Sequence, residues 1–286
     1  MTAANVTDRT HSLVALGGAI YAARQSGLYR IPAAGEAQNL FRAWLPDRET
    51  PALALAIDAG CGLMLAGIQG GVARSMDGGA NWEAIKLRAP APLVTCLAAA
   101  PGVADGGCIL AGTFEDGVFR SADGGATWQA VNHGLFDHSV YALALSPRFA
   151  EDGLVYAGTG SGVYASQNGG RLWQDLIMPA GGETALSLAL ADSGALYAGT
   201  ESHGLLCSQD GGDSWETLRK TYGAVNSLAL ARDGTIIAQM DDRVLRSKDG
   251  GASWNELVGD GVECLSLDGE SLVLAMSDGS IRRADY

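Results

Sequence analysis

The side chains of this sequence best suited to chemistry are carboxylates. Glu115 and Asp116 stand side by side, as do Asp241 and Asp242; Glu201 precedes His203 by two residues, and Asp278 lies in "SDGS" near the C-terminus. Two carboxylates facing each other across a sugar, one held protonated as an acid, cleave glycosidic bonds. A second series recurs in similar words: Asp77, Asp123, Asp210 and Asp249, with Asn168 in a fifth copy. Repeated loop aspartates suggest calcium, but that ion takes about six to eight oxygens and one carboxylate per loop is too few. His133 and His138 share the segment "NHGLFDHS" without a nearby Cys or carboxylate pair, and His11 and His203 are isolated. That makes a poor zinc site, and we expect neither metal nor cofactor. There is no Gly-x-Ser-x-Gly elbow and no phosphate loop. The stretches "GDGV" and "GTGSG" are not followed by helical patterns, so they read as turns rather than dinucleotide fingerprints.

The chain must position these groups with an acidic, glycine-rich composition. Its 286 residues carry 19 basic and 32 acidic side chains, a net charge of −13. Such a surface repels phosphate backbones and anionic lipid, which argues against nucleic-acid and membrane partners. Forty glycines against eight prolines suggest many tight turns rather than disorder. "SLVALGGAIYAA" is too short and too interrupted by glycine to span a bilayer. No positive segment followed by a long apolar run opens the chain, so we read no signal peptide and expect a cytoplasmic protein. The five cysteines (Cys61, Cys96, Cys108, Cys207, Cys264) form no Cys-x-x-Cys pair, which fits reduced, mostly buried thiols.

Internal repetition organises everything else. Five stretches spell nearly the same turn: "SMDGGANW" from Ser75, "SADGGATW" from Ser121, "SQNGGRLW" from Ser166, "SQDGGDSW" from Ser208 and "SKDGGASW" from Ser247. Before each lie three short apolar runs closed by Gly, Asp or Pro, and a fourth follows. The residue opening the third run marks the register: Gly27, Gly71, Gly117, Gly162, Gly204, Arg243 and Gly279, at spacings of 44, 46, 45, 42, 39 and 36. Seven units of four antiparallel strands at that period predict an all-β, single seven-bladed β-propeller. Its blades are expected over roughly residues 8–45, 51–87, 93–132, 139–177, 184–219, 223–258 and 262–286. Unit one has Ile31, Ala33 and Gln38 where Ser, Asp and Trp belong, and unit seven stops before its fourth strand. Residues 2–7 are therefore expected to complete the last blade and close the ring.

The repeated cluster has the properties of structural punctuation. In the five copies it comprises Ser75, Asp77, Gly79 and Trp82; Ser121, Asp123, Gly125 and Trp128; Ser166, Asn168, Gly170 and Trp173; Ser208, Asp210, Gly212 and Trp215; and Ser247, Asp249, Gly251 and Trp254. Asp or Asn accepts local amides, Gly permits positive φ, and Trp buries a large surface beside the turn. The pattern S-x-D-G-G-x-x-W resembles the Asp box, the bacterial neuraminidase repeat, over essentially the whole chain. The resemblance implies a box between third and fourth strands at the outer rim. It is shared by sialidases, xyloglucanase-type endoglucanases, sorting receptors and photosystem II assembly factors, so fold does not decide function. A sialidase would gather arginines around a substrate carboxylate beside a nucleophilic Tyr. Here Arg30, Arg74, Arg120, Arg246 and Arg282 all occupy one third-strand position and would be spread around the ring. A xyloglucanase would place two aspartates at the channel mouth, commonly between two propellers, whereas this chain has one propeller with short loops. The segment 140–170 is similar to photosystem II stability factor-like propellers, which bind protein partners, although their arginine patch is absent here.

In such a ring, the loops between second and third strands share one face with the links between blades. Glu115, Asp116, Glu201, His203, Asp241, Asp242 and Asp278 then form a candidate binding face. The expectation is a non-enzymatic scaffold that docks a partner protein with a basic patch; the alternative is a carbohydrate-active propeller using paired carboxylates there. No feature of the sequence speaks to oligomeric state.

Overall fold

The computed structural model describes residues 8–42, 44–45, 49–58, 60–88, 91–100, 107–179, 181–219 and 221–286. They form seven antiparallel sheets whose strands follow in chain order, spanning residues 10–39, 54–86, 93–130, 140–176, 185–217, 225–258 and 262–285. The first strand of each sheet is innermost, and the innermost strands of successive blades pack side by side around the ring. This is a seven-bladed β-propeller. Six sheets have four strands; the seventh, among the described residues, has three and ends at Ile281–Asp285. The expected completion of that blade by residues 2–7 lies outside the described residues.

The apolar alternation of the strands explains where the core sits. Side chains leaving opposite faces of a blade meet the two neighbouring blades, so the core is a set of layers at the joints rather than one central mass. Leu63, Leu65 and Val72 of blade 2 meet Val94, Ile109 and Phe119 of blade 3. Along the innermost strand of blade 6, Leu228 and Leu230 enter the layer toward blade 5, whereas Ala229 enters the layer toward blade 7. Leu13, Ile20 and Ala22 of blade 1 pack on Cys264, Val273 and Ala275 of blade 7, which closes the ring with an apolar joint. Two polar contacts reinforce it: Thr10 N–H donates to Glu263 Oε2 at 2.8 Å and Arg24 Nη2 to the Gly279 carbonyl at 3.2 Å.

Blades approach each other over glycine. At Gly67, Gly112, Gly158 and Gly199 in the second strands of blades 2 to 5, an added Cβ would meet Val94, Val140, Ala185 and Val225, which begin the next innermost strand. In blade 6 the same register position is Gln239, whose Nε2 donates to the Val262 carbonyl at 2.7 Å. The joint between blades 6 and 7 thus has a long side chain at the position that is glycine in blades 2 to 5.

Two features depart from the sequence reading. "SPRFAEDG" contains a single helical turn, Phe149–Asp152, ended by Gly153 at φ 60° and anchored by buried Phe149. From the sequence, residues 132–139, "NHGLFDHS", read as the longest connection outside the boxes; the longest between described strands is residues 40–53, between blades 1 and 2. In it Phe41 packs edge-on against Trp44 at 5.5 Å and Trp82 at 5.1 Å, so aromatics fill the space beside the box that unit one lacks.

Candidate functional site

The repeated turns come first, because they consume most of the candidate chemistry. In the box of blade 3, Ser121 Oγ donates to Asp123 Oδ1 at 2.8 Å and accepts the Gly125 amide at 2.9 Å. Asp123 in turn accepts the amide of Thr127 at 2.9 Å and its hydroxyl at 2.5 Å, and Trp128 Nε1 donates to the Gly125 carbonyl at 3.0 Å. The pattern repeats in blades 2, 5 and 6 with Asn81, Ser214 and Ser253 as donors. Blade 4 keeps the acceptor without the charge: Asn168 Oδ1 takes the amides of Arg171 and Leu172, while Trp173 turns its indole to the Val131 carbonyl of blade 3. Hydrogen bonds from Asn81, Ser214 and Ser253 pull the carboxyls of Asp77, Asp210 and Asp249 down to about 2. For Asp123 partial burial opposes the shift and the Thr127 and Ser121 donors outweigh it, so its value is also lowered.

The arginines before the boxes have a separate task. Arg74 Nε donates to the Gly124 carbonyl in the next blade's box at 2.7 Å, and Arg120 Nε to that of Gly169 at 3.1 Å. At the following joint Tyr156 Oη reaches the Gly211 carbonyl at 3.2 Å. These are staples between blades at the rim, well removed from a common substrate carboxylate.

The seven candidate face residues all fall in the loops between second and third strands: Glu115 and Asp116 in blade 3, Glu201 and His203 in blade 5, Asp241 and Asp242 in blade 6, and Asp278 in blade 7. Backbone hydrogen bonds tie these loops to the links between blades, through Gly117 to His138, Glu201 to Thr184, Asp241 to Ala224 and Val262 to Asp242. They share one face but are distributed over four blades rather than paired. Asp278 is held by Ser280 and ion-paired with Arg282, and its value is lowered by those contacts, Ser280 first.

Near His203 lies a group with the residue types of a hydrolytic triad. Buried Glu183 accepts the Ser202 amide at 2.7 Å and hydroxyl at 3.0 Å, and its Oε2 lies 2.9 Å from His203 Nδ1. The same imidazole nitrogen faces Ser202 Oγ at 3.1 Å, so the base that should activate the hydroxyl is not on the far side of the ring. Burial opposes ionisation of Glu183, and the Ser202 and His203 contacts overcome it, lowering its value. The group is a clamp between the link into blade 5 and that blade's second loop. Among the described residues, every carboxylate with a displaced value (Asp77, Asp123, Glu183, Asp210, Asp233, Asp249, Asp278) is displaced downward, opposite to what a general acid needs. Among the described residues, no group of three or more His, Cys, Asp or Glu is placed to hold a metal ion.

Several residues of this face escaped the sequence reading. Phe136 is 86% exposed and Phe114 41%, and Ile177 and Tyr222 stand out in the links into blades 5 and 6. Phe114 packs on Tyr141 of blade 4, ring centroids 6.5 Å apart and tilted 55°. Tyr141 is the extra residue of a bulge, and the same register slip sets off His11, Thr95, Leu186, Asn226 and Glu263 in five other innermost strands. A bulge re-aims a side chain, here near the channel mouth. The faint signal for Phe136 and Tyr222 was an aromatic inside a polar, glycine-containing link. On the opposite face, open grooves of about 500 and 740 Å³ lie between blades 5 and 6 and blades 6 and 7, lined by Asp192, Tyr197, Arg232, Asp233 and Tyr286. Another opens between blades 1 and 2 on the same face, as expected of repeating architecture.

No family model matches the chain, and no curated protein does. Solved structures do. The extracellular domain of BT4673 from B. thetaiotaomicron is 15% identical with a TM-score of 0.78, covering 99% of this chain and 39% of that one. The GH74 xyloglucanase of Xanthomonas campestris is 18% identical with a TM-score of 0.76, covering 96% of this chain and 52% of that one. YCF48 bound to D1 peptide is 15% identical with a TM-score of 0.72, covering 99% and 93%. This chain thus spans about two fifths and one half of the first two. No helix among the described residues is long and apolar enough to cross a membrane. At these identities the likeness establishes one thing: a seven-bladed propeller, a fold found alike in an extracellular domain, a xyloglucanase and a peptide-bound protein.

Proposed function

We propose that the protein is a non-catalytic docking scaffold, holding a partner protein on the face formed by the second-to-third-strand loops. The observation that carries this is the coexistence on that face of solvent-exposed aromatics, Phe114, Phe136 and Tyr222, with the acids Glu115, Asp116, Glu201, Asp241 and Asp242. Exposed apolar side chains rimmed by charge mark interaction surfaces, and the acid selects basic partners. A glycoside hydrolase would need an acid with a raised value facing a second carboxylate. The carboxylates here are dispersed over the blades, and those displaced are displaced downward. A propeller bound to a peptide among the structural neighbours supports the same reading.

The test is capture of partners by the tagged full chain from its native host, at low and moderate salt, beside a Glu115→Arg, Asp242→Arg double variant. A stoichiometric partner that weakens with salt and is lost with the double variant is expected. Capture unaffected by charge reversal would move the site to the other face or the rim, and hydrolysis of a glycan by the wild-type chain would replace docking with catalysis.

A further inference from the structure

We infer that, on the docking face assigned above and resting on that assignment, the recognition element is the sector between blades 3 and 4. The ligand it takes is a peptide segment of the partner in which an aromatic or aliphatic side chain lies within a few residues of Lys or Arg. The sector comprises Phe114, Tyr141 and Phe136 with the acids Glu115, Asp116 and Asp137.

Its parts form one rigid unit. Asn132 Oδ1 accepts the Val118 amide at 2.8 Å, while its Nδ2 donates to the Asp116 carbonyl at 2.9 Å. The Gly117 amide donates to the His138 carbonyl at 2.9 Å, and Asp137 accepts the Ser139 amide at 2.8 Å. The loop carrying Glu115 and Asp116 is therefore clamped to the link carrying Phe136 and Asp137. Phe114, leaning on Tyr141, reaches the neighbouring innermost strand. Phe114 and Tyr141 thus form a packed pair, and Phe136 stands exposed on the link clamped to their loop, unlike the isolated surface hydrophobe that needs no explanation.

Charge then selects the occupant. Between residues 107 and 147 the only Lys or Arg is Arg120, and its guanidinium is engaged at the rim with the Gly169 carbonyl. The three acids of the patch consequently have no cation of their own sector beside them. A Lys or Arg gains from those carboxylates and from the ring faces together, while an adjacent apolar side chain covers the exposed phenyl surface. A neutral sugar gains nothing from the net negative field, and rings tilted 55° offer no flat platform for a pyranose.

The experiment selects phage-displayed random dodecapeptides on the intact protein, then measures synthetic copies by fluorescence anisotropy. Enrichment of Lys or Arg near an aromatic or aliphatic residue is expected, with affinity falling as salt rises to roughly 0.3 M. Phe114→Ser with Phe136→Ser should weaken the best peptide by about tenfold or more, and Phe136→Ser alone should weaken it while leaving the melting curve unchanged, since that side chain is 86% exposed. Glu115→Gln with Asp116→Asn should remove most of the salt dependence. No enrichment, enrichment of acidic or uncharged sequences, or equal binding by the phenylalanine variant would overturn the proposal. So would a pyranose ligand on a glycan array whose binding needs Phe114. If the captured partner is lost with Glu115→Arg, Asp242→Arg but retained by the phenylalanine variant, the docking face stands and this sector is wrong. If neither variant lowers capture, the face itself is wrong.

Discussion

At the scale of single residues, the repeated turn is a network of short-range hydrogen bonds, and its acid response follows. The folded values of Asp77, Asp210 and Asp249 lie near 2, below the ordinary 3.8, and Asp123 is also lowered. A carboxyl depressed by folding contributes stability that is fully present above about pH 4 and is lost as pH falls toward 2. Urea midpoints should therefore drop steeply across that interval, and less steeply in a protein with Asn in all four boxes, since Asn168 already keeps the acceptor in blade 4. Equal steepness in both would remove the boxes from the acid response. Glu115 at φ 71° and Asp241 at φ 53° are the non-glycine residues with positive φ among those described. Glu115→Gly should raise stability by about 0.5–1 kcal/mol in chemical denaturation, because the left-handed conformation costs a residue with a Cβ more than it costs Gly. A loss instead would show that the side chain has a structural partner. The box was legible in the sequence because its contacts, the Trp173 indole apart, span four residues or fewer. The exposure of Phe114 and Phe136 was not, because it depends on what fails to cover them in space.

At the scale of elements, strand count and register could be read from the spacing of Gly27, Gly71, Gly117, Gly162, Gly204 and Gly279. At Gly71 and Gly204 the reason is direct: a Cβ would collide with the carbonyls of Ile85 and Thr221. The bulges could not be read, since one extra residue shows only against its partner strand. The helical turn at Phe149–Asp152 is too short to display a period. Nor did Gln239 stand out, although it replaces the glycine of other blades and is 2% exposed. Gln239→Ala removes the bond to Val262 and opens a cavity at the joint of blades 6 and 7. A loss of about 2–3 kcal/mol in urea unfolding is expected; a change near zero would mean that the joint closes by itself.

At the scale of the whole molecule, the ring closes through the layer between blades 1 and 7, with Leu13 and Ile20 against Cys264 and Val273. We propose that residues 2–7 add the fourth strand of blade 7, since they directly precede the innermost strand Thr10–Leu16 that packs on that blade. Deleting them should then lower the melting midpoint by about 5 °C or more, as losing a few kcal/mol does in a chain of this size. An unchanged melt would leave closure to the apolar layer alone. Function was the least legible level: the acidic face could be placed from loop order, but the aromatic sector beside it emerged only from the packed ring.

The rim staples have a mechanical consequence. Arg74, Arg120 and Tyr156 each grip the following blade's turn, so blades 2 to 5 are fastened in sequence, and among the described residues no such grip joins the blades beyond. Arg246, in the same strand position of blade 6, keeps its buried Nε without a hydrogen-bond partner among the described residues. At the rim, the ring is thus fastened along one arc and not along the other. Amide exchange should be slowest in blades 2 to 5 and fastest across blades 6 and 7, readable by deuterium uptake. The aromatic pair Phe114 and Tyr141 sits in the middle of the stapled arc, so a ligand arriving there meets blades already fastened to one another.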